Sequence, residues 1–448
     1  MSDMLSIGAS GVRAYQVALS TVSENIANSG ATGYTRRTTS ISEVGSTGST
    51  TGQSGFNGMG SVVTGVVRVG DAFRAAEVRS TGADLAKTEA SVTWLGRIED
   101  TLSGSQLGTR LGSFFNAATQ LSADPTSMAA RSTMMEAASG VADAFTETGA
   151  SLDQAAADVD GMGTDSAASL TTLAATLAQI NQGLGRAQPG TAGQATLLDQ
   201  RDQTLEQMSA LTDTTVTFDD ADRATVHAGN AGGPLLVQNA NSATITYARN
   251  SGGSVQFSVL NGATQQLMTP SAGALAGIAE GAQKVADAQG QLASIAKSFV
   301  DDVNGVQAGG RDLDNNPGAQ MFALDPSGTA HVTMSMTDPR TIAAGVAGGG
   351  QRDNTNLANL AALRTSGGYE NAIVDLTTTN AATLAQRNSV ADAQNTIHNN
   401  AVNQRDSQSG VSLDNEAVDL MRFQQAYSAS GRVIQTARDI FQTIMNIN

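Results

Sequence analysis

Leu5-Ser-Ile-Gly-Ala-Ser-Gly-Val-Arg-Ala-Tyr-Gln-Val-Ala-Leu-Ser-Thr-Val-Ser-Glu-Asn-Ile-Ala-Asn28 is the stretch on which the reading of this chain turns. Leu5, Gly8, Val12, Tyr15, Leu19, Val22 and Ile26 step alternately by three and four residues, the spacing of a heptad seam on one helix face. Gly8 is the one position of the seam without a packing side chain. Asn28-Ser29-Gly30 supplies a stop, with Gly30 suited to the left-handed conformation that ends helices. At 1.5 Å per residue the helix is about 36 Å long.

The other end of the chain repeats the pattern. Leu420, Tyr427, Ile434 and Phe441 recur every seven residues, and Phe423, Ser430, Ala437 and Ile444 form a second row beside them. Ser412 is placed as a cap, and Asp414 and Glu416 as first-turn acids favoured by the helix dipole. Amphipathic helices at both ends, with everything else between, predict that the two ends pair as a coiled coil, with each other or with neighbouring subunits. An ordinary surface helix on a globular core has the same periodicity; position at both extremes, where chains are usually least ordered, favours pairing.

Between the ends the signal changes several times. Gly45 to Gly60 is rich in Ser, Thr and Gly and reads as a linker; Val62 to Val69 reads as a short extended segment. From Asp71 to Leu211 an Ala-rich tract carries helical spacing in Val92, Leu95, Ile98 and Leu102, and again in Leu170, Leu173, Leu177 and Ile180, predicting long antiparallel helices. Thr214 to Leu260 switches to short β-branched and aromatic runs separated by Asp219-Asp220, Gly252-Gly253 and Asn261-Gly262. Helical spacing resumes at Ala274–Val306 and Asn371–Arg405, around a loop-rich stretch at Gly309–Gly350. The expected fold is mainly α with a β-rich insert: a terminal coiled-coil core of residues 1–40 plus 409–448, a helical-bundle middle of 41–212 plus 273–408, and a small outer β domain of 213–272.

The chain has 448 residues, 25 Lys plus Arg against 41 Asp plus Glu, a formal charge of −16 and no Cys. Net negative charge without a basic stripe argues against a nucleic-acid partner, Arg36-Arg37 being the longest basic cluster. No apolar run approaches a bilayer span, so no membrane role is expected. Lack of Cys removes disulfides, thiolate nucleophiles and Cys-ligated metals. Met1 to Gly11 lacks the basic and apolar regions of a secretory leader.

Nothing in the pattern asks for catalysis, a metal or a cofactor. His227, His331 and His398 are far apart in sequence and make no ligand spacing or triad signature. Asp312-Leu-Asp-Asn-Asn-Pro-Gly318 has its glycine one place late for a calcium loop and Ala323 where the glutamate belongs, so it reads as an Asx-rich turn. Gly183-Leu-Gly185 and Gly348-Gly-Gly350 read as turns, and Asp199-Gln-Arg-Asp-Gln203 as a solvated helix face with intrahelical ion pairs.

Asn25-Ile-Ala-Asn28, four intervening positions and then Gly33-Tyr34 resemble the N-terminal signature of the bacterial flagellar axial proteins of rod, hook and hook-associated type. Gly30-Ala31-Thr32 stands where that family usually has Asn-Thr-Pro. Ser409-Gly-Val-Ser-Leu-Asp-Asn-Glu-Ala-Val-Asp-Leu-Met-Arg-Phe-Gln-Gln-Ala-Tyr427 is similar to the C-terminal axial motif. The helical tract and Leu197-Leu-Asp-Gln-Arg-Asp-Gln203 favour the hook-associated branch over hook or rod subunits, which generally have a more β-rich middle. The resemblance covers roughly the first 37 and last 40 residues.

It implies an extracellular structural protein of the hook–filament junction, serving motility and exported by the flagellar type III route without a cleaved leader. Implied partners are copies of itself in a helical lattice, the hook protein, the second junction protein and an export chaperone. Asn25, Asn28, Gly33 and Tyr34 are expected to shape the end of the first helix. Leu5, Val12, Tyr15, Leu19, Val22 and Ile26, with Leu420, Phe423, Tyr427, Ile434, Phe441 and Ile444, are the expected assembly faces. Enzymatic or adhesive use of the β insert would need a convergent acid or metal cluster; it offers Asp219, Asp220 and Asp222.

Overall fold

The computed structural model describes residues 2–31, 33–44, 60–325 and 330–446. The linker expected at Gly45–Gly60 lies outside them apart from Gly60, as does Thr32. The chain starts with α1 (Ser2–Ala27) and a hairpin, β1 (Arg37–Glu43) and β2 (Ser61–Arg68). Four helices follow: α2 (Ala72–Gly104), α3 (Leu107–Ala123), α4 (Met128–Leu184) and α5 (Ala192–Leu211). Three of their starts, those of α2, α4 and α5, are capped as the sequence chemistry dictates. The Asp71 carboxylate accepts from the Phe73 and Arg74 amides, Ser127 from Ala130, and Thr191 from Gln194.

The 57-residue α4 is the spine. Met134, Ala138, Val141, Phe145, Thr148, Leu152, Ala155 and Val159 alternate in steps of four and three, and all are buried. This stripe and α6 (Ala274–Gly309) close on an aromatic cluster of Phe114, Phe115, Phe145, Phe299 and Phe322, with ring centroids 5.2–6.3 Å apart. Tyr369 stacks on Phe115 and donates its hydroxyl to Asp302 at 2.6 Å. α2 lies along α6 and along α8 (Tyr369–Ser409), which follows the short strands β10 (Phe322–Leu324) and β11 (Val332–Met334) and helix α7 (Thr355–Gly367). α9 (Leu413–Met445) ends the chain.

The β insert leaves the helices between α5 and α6. β3 (Thr214–Phe218), β4 (Ala224–Ala228), β5 (Leu235–Gln238) and β6 (Asn241–Ser242) form one antiparallel sheet in chain order; β7 (Thr244–Arg249), β8 (Val255–Asn261) and β9 (Thr264–Met268) form another. Period-two alternation turns Val226, Ile245, Phe257, Val259 and Met268 inward. Asn181 of α4, fully buried, takes the place of a strand neighbour: its side chain donates to the Ala224 carbonyl at 2.8 Å and accepts from the Ala224 amide at 2.9 Å. The Tyr247 hydroxyl and the Arg249 guanidinium both reach Asp160 of α4, and a Cβ at Gly163 would meet the Tyr247 ring. Burial, with the Asp160 carboxylate beside it, pushes the Tyr247 phenol upward. The chain is therefore mainly α with a β insert.

The β10–β11 pair falls within the stretch read as loop-rich, and α7 in the segment between it and Asn371, to which the sequence reading assigns no element. Both are short, and both are set by packing against α3, α4 and α6 and not by local pattern. In the 312–318 turn the Asp312 carboxylate accepts from the Asp314 and Asn316 amides at 2.9 and 2.7 Å, an Asx geometry.

Candidate functional site

α1 and α9 run antiparallel, with Gly8 beside Ser430 and Ile434, Tyr15 beside Phe423, and Asn25 beside Glu416. Closest approach is made by the smallest residues. A Cβ on Gly8 would stand 2.7 Å from Ile434, and one on Gly11 2.7 Å from the Ser430 hydroxyl. Gly8, Gly11, Ala14, Ala18, Thr21, Val22 and Asn25 are buried, while Leu5, Val12, Tyr15, Leu19 and Ile26 lie half-buried at the margins of that seam. The seam predicted from apolar size thus includes one fully covered large residue, Val22. The close contact lies on the small stripe, because α1 is packed on one side by α9 and on another by the β1–β2 hairpin.

On α9, Leu420, Phe423 and Ile434 are half-buried against α1 and Ala437 is buried. Tyr427, Phe441 and Ile444 remain 39, 54 and 49% exposed, in company with Val418, Met421, Val433, Ile440 and Met445. α9 therefore carries exposed apolar side chains around and beyond its contact with α1, which this chain leaves open to solvent.

The motif residues converge at the base of the helix pair. Asn25 is completely buried and uses its whole side-chain amide: it donates to the Arg37 carbonyl at 2.8 Å and to Glu416 at 3.0 Å, and accepts from the Tyr34 hydroxyl at 2.9 Å and the Arg37 amide at 3.0 Å. Glu416, also completely buried, receives Arg36 Nε at 2.6 Å, and Arg36 reaches Asp419 at 3.2 Å. Asn28 stays exposed and folds its amide back onto the Glu24 carbonyl. Gly33 has φ +79°, a conformation that a side chain would strain, and it lies against Gln203 of α5. Tyr34 then turns its ring under the Arg37 guanidinium, 4.9 Å away. Burial pushes its phenol upward although Arg37 pulls the other way.

Several residues of this joint carry no family signature and no local periodicity. Arg37 and Arg68 are directly opposed across the hairpin, and both reach Asp199 of α5, at 3.1 and 2.8 Å. Arg68 also pairs with Asp202, which Arg201 holds from its own helix. Burial works against the Asp202 carboxylate, but Arg68 and Arg201 outweigh it and keep its pKa below the ordinary value; at Asp199 burial prevails over Arg68 and Arg37 and pushes the pKa up. The 199–203 cluster is accordingly a tertiary contact and not the solvated face that its local spacing suggests. Arg36-Arg37 was the visible clue, as a charged pair immediately after a buried-helix stop.

The histidines stay apart. His227 meets the Gly233 carbonyl, His331 lies near Asp153, and His398 contacts Thr81. Among the described residues no group of three or more His, Asp or Glu is placed to hold a metal, and no helix is long and apolar enough to cross a membrane.

The model of the flagellar hook-associated protein FlgK helical domain matches residues 95–322, which is half of the chain. The chain belongs to the FlgK family. A second model, the C-terminal segment of the flagellar basal body rod FlgEFG proteins, matches residues 402–447, the stretch that contains Glu416 and α9. Flagellar hook-associated protein 1 of Salmonella typhimurium is 26% identical and that of Escherichia coli 25%, each aligned over the whole of both chains. The structure of the flagellar hook junction protein FlgK from Burkholderia pseudomallei shares the fold at a TM-score of 0.50 and 21% identity, over 55% of this chain and 46% of that one. The FlgK helical-domain match thus lies on the helical body and the β insert, and the rod-type match on the terminal helix.

Proposed function

We propose that this chain is a structural subunit of the hook–filament junction, built into a tubular lattice through its terminal helices. The observation that carries the reading is the antiparallel α1–α9 pair, locked at its base by Asn25 and Glu416 and with large apolar side chains of α9 left exposed. Full burial of a large apolar side chain contributes about 1.5–3 kcal/mol, so Tyr427, Phe441 and Ile444 gain from contact with neighbouring subunits. In that lattice the pair acts as a coiled-coil core of residues 1–40 and 409–448, the segments 41–212 and 273–408 as the next layer, and 213–272 as an outer β domain. Leu5, Val12, Tyr15, Leu19, Val22 and Ile26, with Leu420, Phe423 and Ile434, contribute the remaining packing. Asn25, Asn28, Gly33 and Tyr34 set the turn out of the core. Contacts between lattice neighbours are heterologous.

The partners on this reading are further copies, the hook protein, the second junction protein, and an export chaperone that covers the free α9 face before passage through the flagellar type III channel. The role is mechanical, with no enzymatic step, and the site of action is extracellular. The test is deletion of the gene, with electron microscopy of the cells and assay of flagellin in the medium. Hooks without filaments, and free flagellin outside, are expected. Missing hooks would instead assign a rod or hook subunit, and unchanged flagella would overturn the reading.

In the isolated protein the far ends of the pair should fray while its base holds. Trypsin is expected to cut first at the exposed Arg13, Arg432 and Arg438 and to spare Arg36, Arg37 and Arg68, whose side chains are engaged in the joint. Cleavage at Arg36 or Arg37 as early as at Arg438, read by mass spectrometry, would contradict a locked base.

A further inference from the structure

We propose that Asp199 latches the terminal helix pair to the helical body at a fixed angle, and that without its charge the joint becomes a hinge. The waist between the two parts is narrow. Open clefts flank it, one lined by Glu24, Gly33, Thr196 and Gln200, the other by Val67, Arg79, Glu206 and Val402. Backbone ties cross it, from the Val66 amide to the Gly190 carbonyl at 2.8 Å and from the Arg36 amide to the Ser409 carbonyl at 2.8 Å. Single hydrogen bonds of this kind permit rotation; ion pairs from several directions onto one carboxylate do not.

Asp199 receives that convergence. Arg37 comes from β1 and Arg68 from β2, and the two are cross-strand partners, so that like charges face each other across the hairpin. Directly opposed like charges destabilise a strand pair, and here the carboxylate between them reverses the sign. The wider surroundings duplicate it only in part: on α5 Arg68 also pairs with Asp202 and Arg37 donates to Thr196 at 3.1 Å, but neither of these groups takes both arginines. Glu24 of α1 is 3.5 Å from Arg37, Asp202 of α5 is shared between Arg68 and Arg201, and Tyr34 offers a ring face and not a charge. Thr35 adds a hydrogen bond to Asp199, and Arg79 of α2 acts on the Asp202 side of the network. Arg36, the third arginine at the hairpin base, is committed to Glu416 and Asp419 of α9. Arg36 therefore holds the terminal pair alone, Arg37 bridges Glu24 of the pair and the body, and Arg68 reaches the body alone; Asp199 accepts both arginines that reach the body. This latch is a property of the single chain and does not depend on which assembly the chain enters.

The test uses the full-length protein, which has no cysteine of its own. Nitroxide labels at Ser20→Cys on α1 and Gln207→Cys on α5, both exposed positions, report the angle as an inter-label distance distribution by pulsed electron resonance. A single narrow distance is expected for the otherwise native chain. Asp199→Asn is expected to lose the narrow peak at low salt and to recover it partly in high salt, which screens Arg37 from Arg68. A native-like distribution for Asp199→Asn, or a broad one for the native chain, overturns the latch. A broadening that salt leaves unchanged assigns Asp199 a packing role and overturns it equally. Should Asp199→Asn lose its helical circular dichroism, Arg68→Gln alone decides: a salt-independent broadening supports the latch, and a native distribution overturns it.

Discussion

Replacement of Gly281 by leucine is expected to abolish folding of the helical body, and replacement by alanine to lower its stability by about 1–3 kcal/mol, the usual range for overpacking a filled core. α2 and α6 cross with no room for a side chain. A Cβ on Gly281 would lie 2.2 Å from Trp94 Cδ1 and 2.5 Å from Cγ, and Trp94 is itself 2% exposed. One turn earlier, a Cβ on Gly277 would lie 2.4 Å from the Lys87 carbonyl oxygen, so the backbones are already in contact and α6 cannot retreat. Helix propensity works the other way, since glycine inside a helix is about 0.5–1 kcal/mol less favourable than alanine. Gly290, on the same helix with nothing within 4 Å of its Cβ position, isolates that term. Gly290→Ala should therefore raise the melting temperature while Gly281→Ala lowers it, both followed by the fluorescence of Trp94, the chain's single tryptophan. Equal or higher stability for Gly281→Ala would mean that the α2–α6 crossing is looser than the structure has it.

That crossing also shows where sequence reading runs out. The helices could be read because apolar residues recur at three and four along them, and the β insert because β-branched residues alternate between Thr214 and Leu260. A contact made by Gly277, Gly281, Gly8 or Gly11 has no such signal, since these residues matter for what they lack, and a periodicity scored by apolar size passes over them. The joint was hidden for a second reason. Asp199 has Arg201 two residues away, which invites an intrahelical reading, whereas its partner Arg37 stands 162 residues distant in sequence. Glu416 was legible as a first-turn acid that favours the helix dipole, but only the fold shows that it is completely buried and receives Arg36 and Asn25. Asn25, Gly33 and Tyr34 were legible through family likeness, and the structure supplies their physics: a four-bond amide, a positive φ, and a ring that carries an arginine.

Glu416→Ala is expected to release α9 from α1 without unfolding the rest. The carboxylate has no contact with solvent, and its two donors, Arg36 Nε and Asn25 Nδ2, come from the turn and from α1. Truncation removes the acceptor that both donors share. Breaking a buried ion pair from one side costs about 3–5 kcal/mol, and the lower end applies because the Arg36 side chain is 26% exposed and keeps Asp419. The aromatic cluster around Phe299 and the α2–α6 crossing share no side chain with this network, so the transition reported by Trp94 should stay where it is. The change should appear instead in loss of helical circular dichroism and in rapid tryptic cleavage at Arg36 and Arg37. Asn25→Ala should do the same, and the double variant should cost less than the sum of the two, because residues of one hydrogen-bonded network are coupled. Strict additivity would show that Asn25 and Glu416 act separately. Unchanged protection at Arg36 in Glu416→Ala would show that apolar contact between α1 and α9 holds the pair unaided, leaving the joint to orient helices that it does not bind.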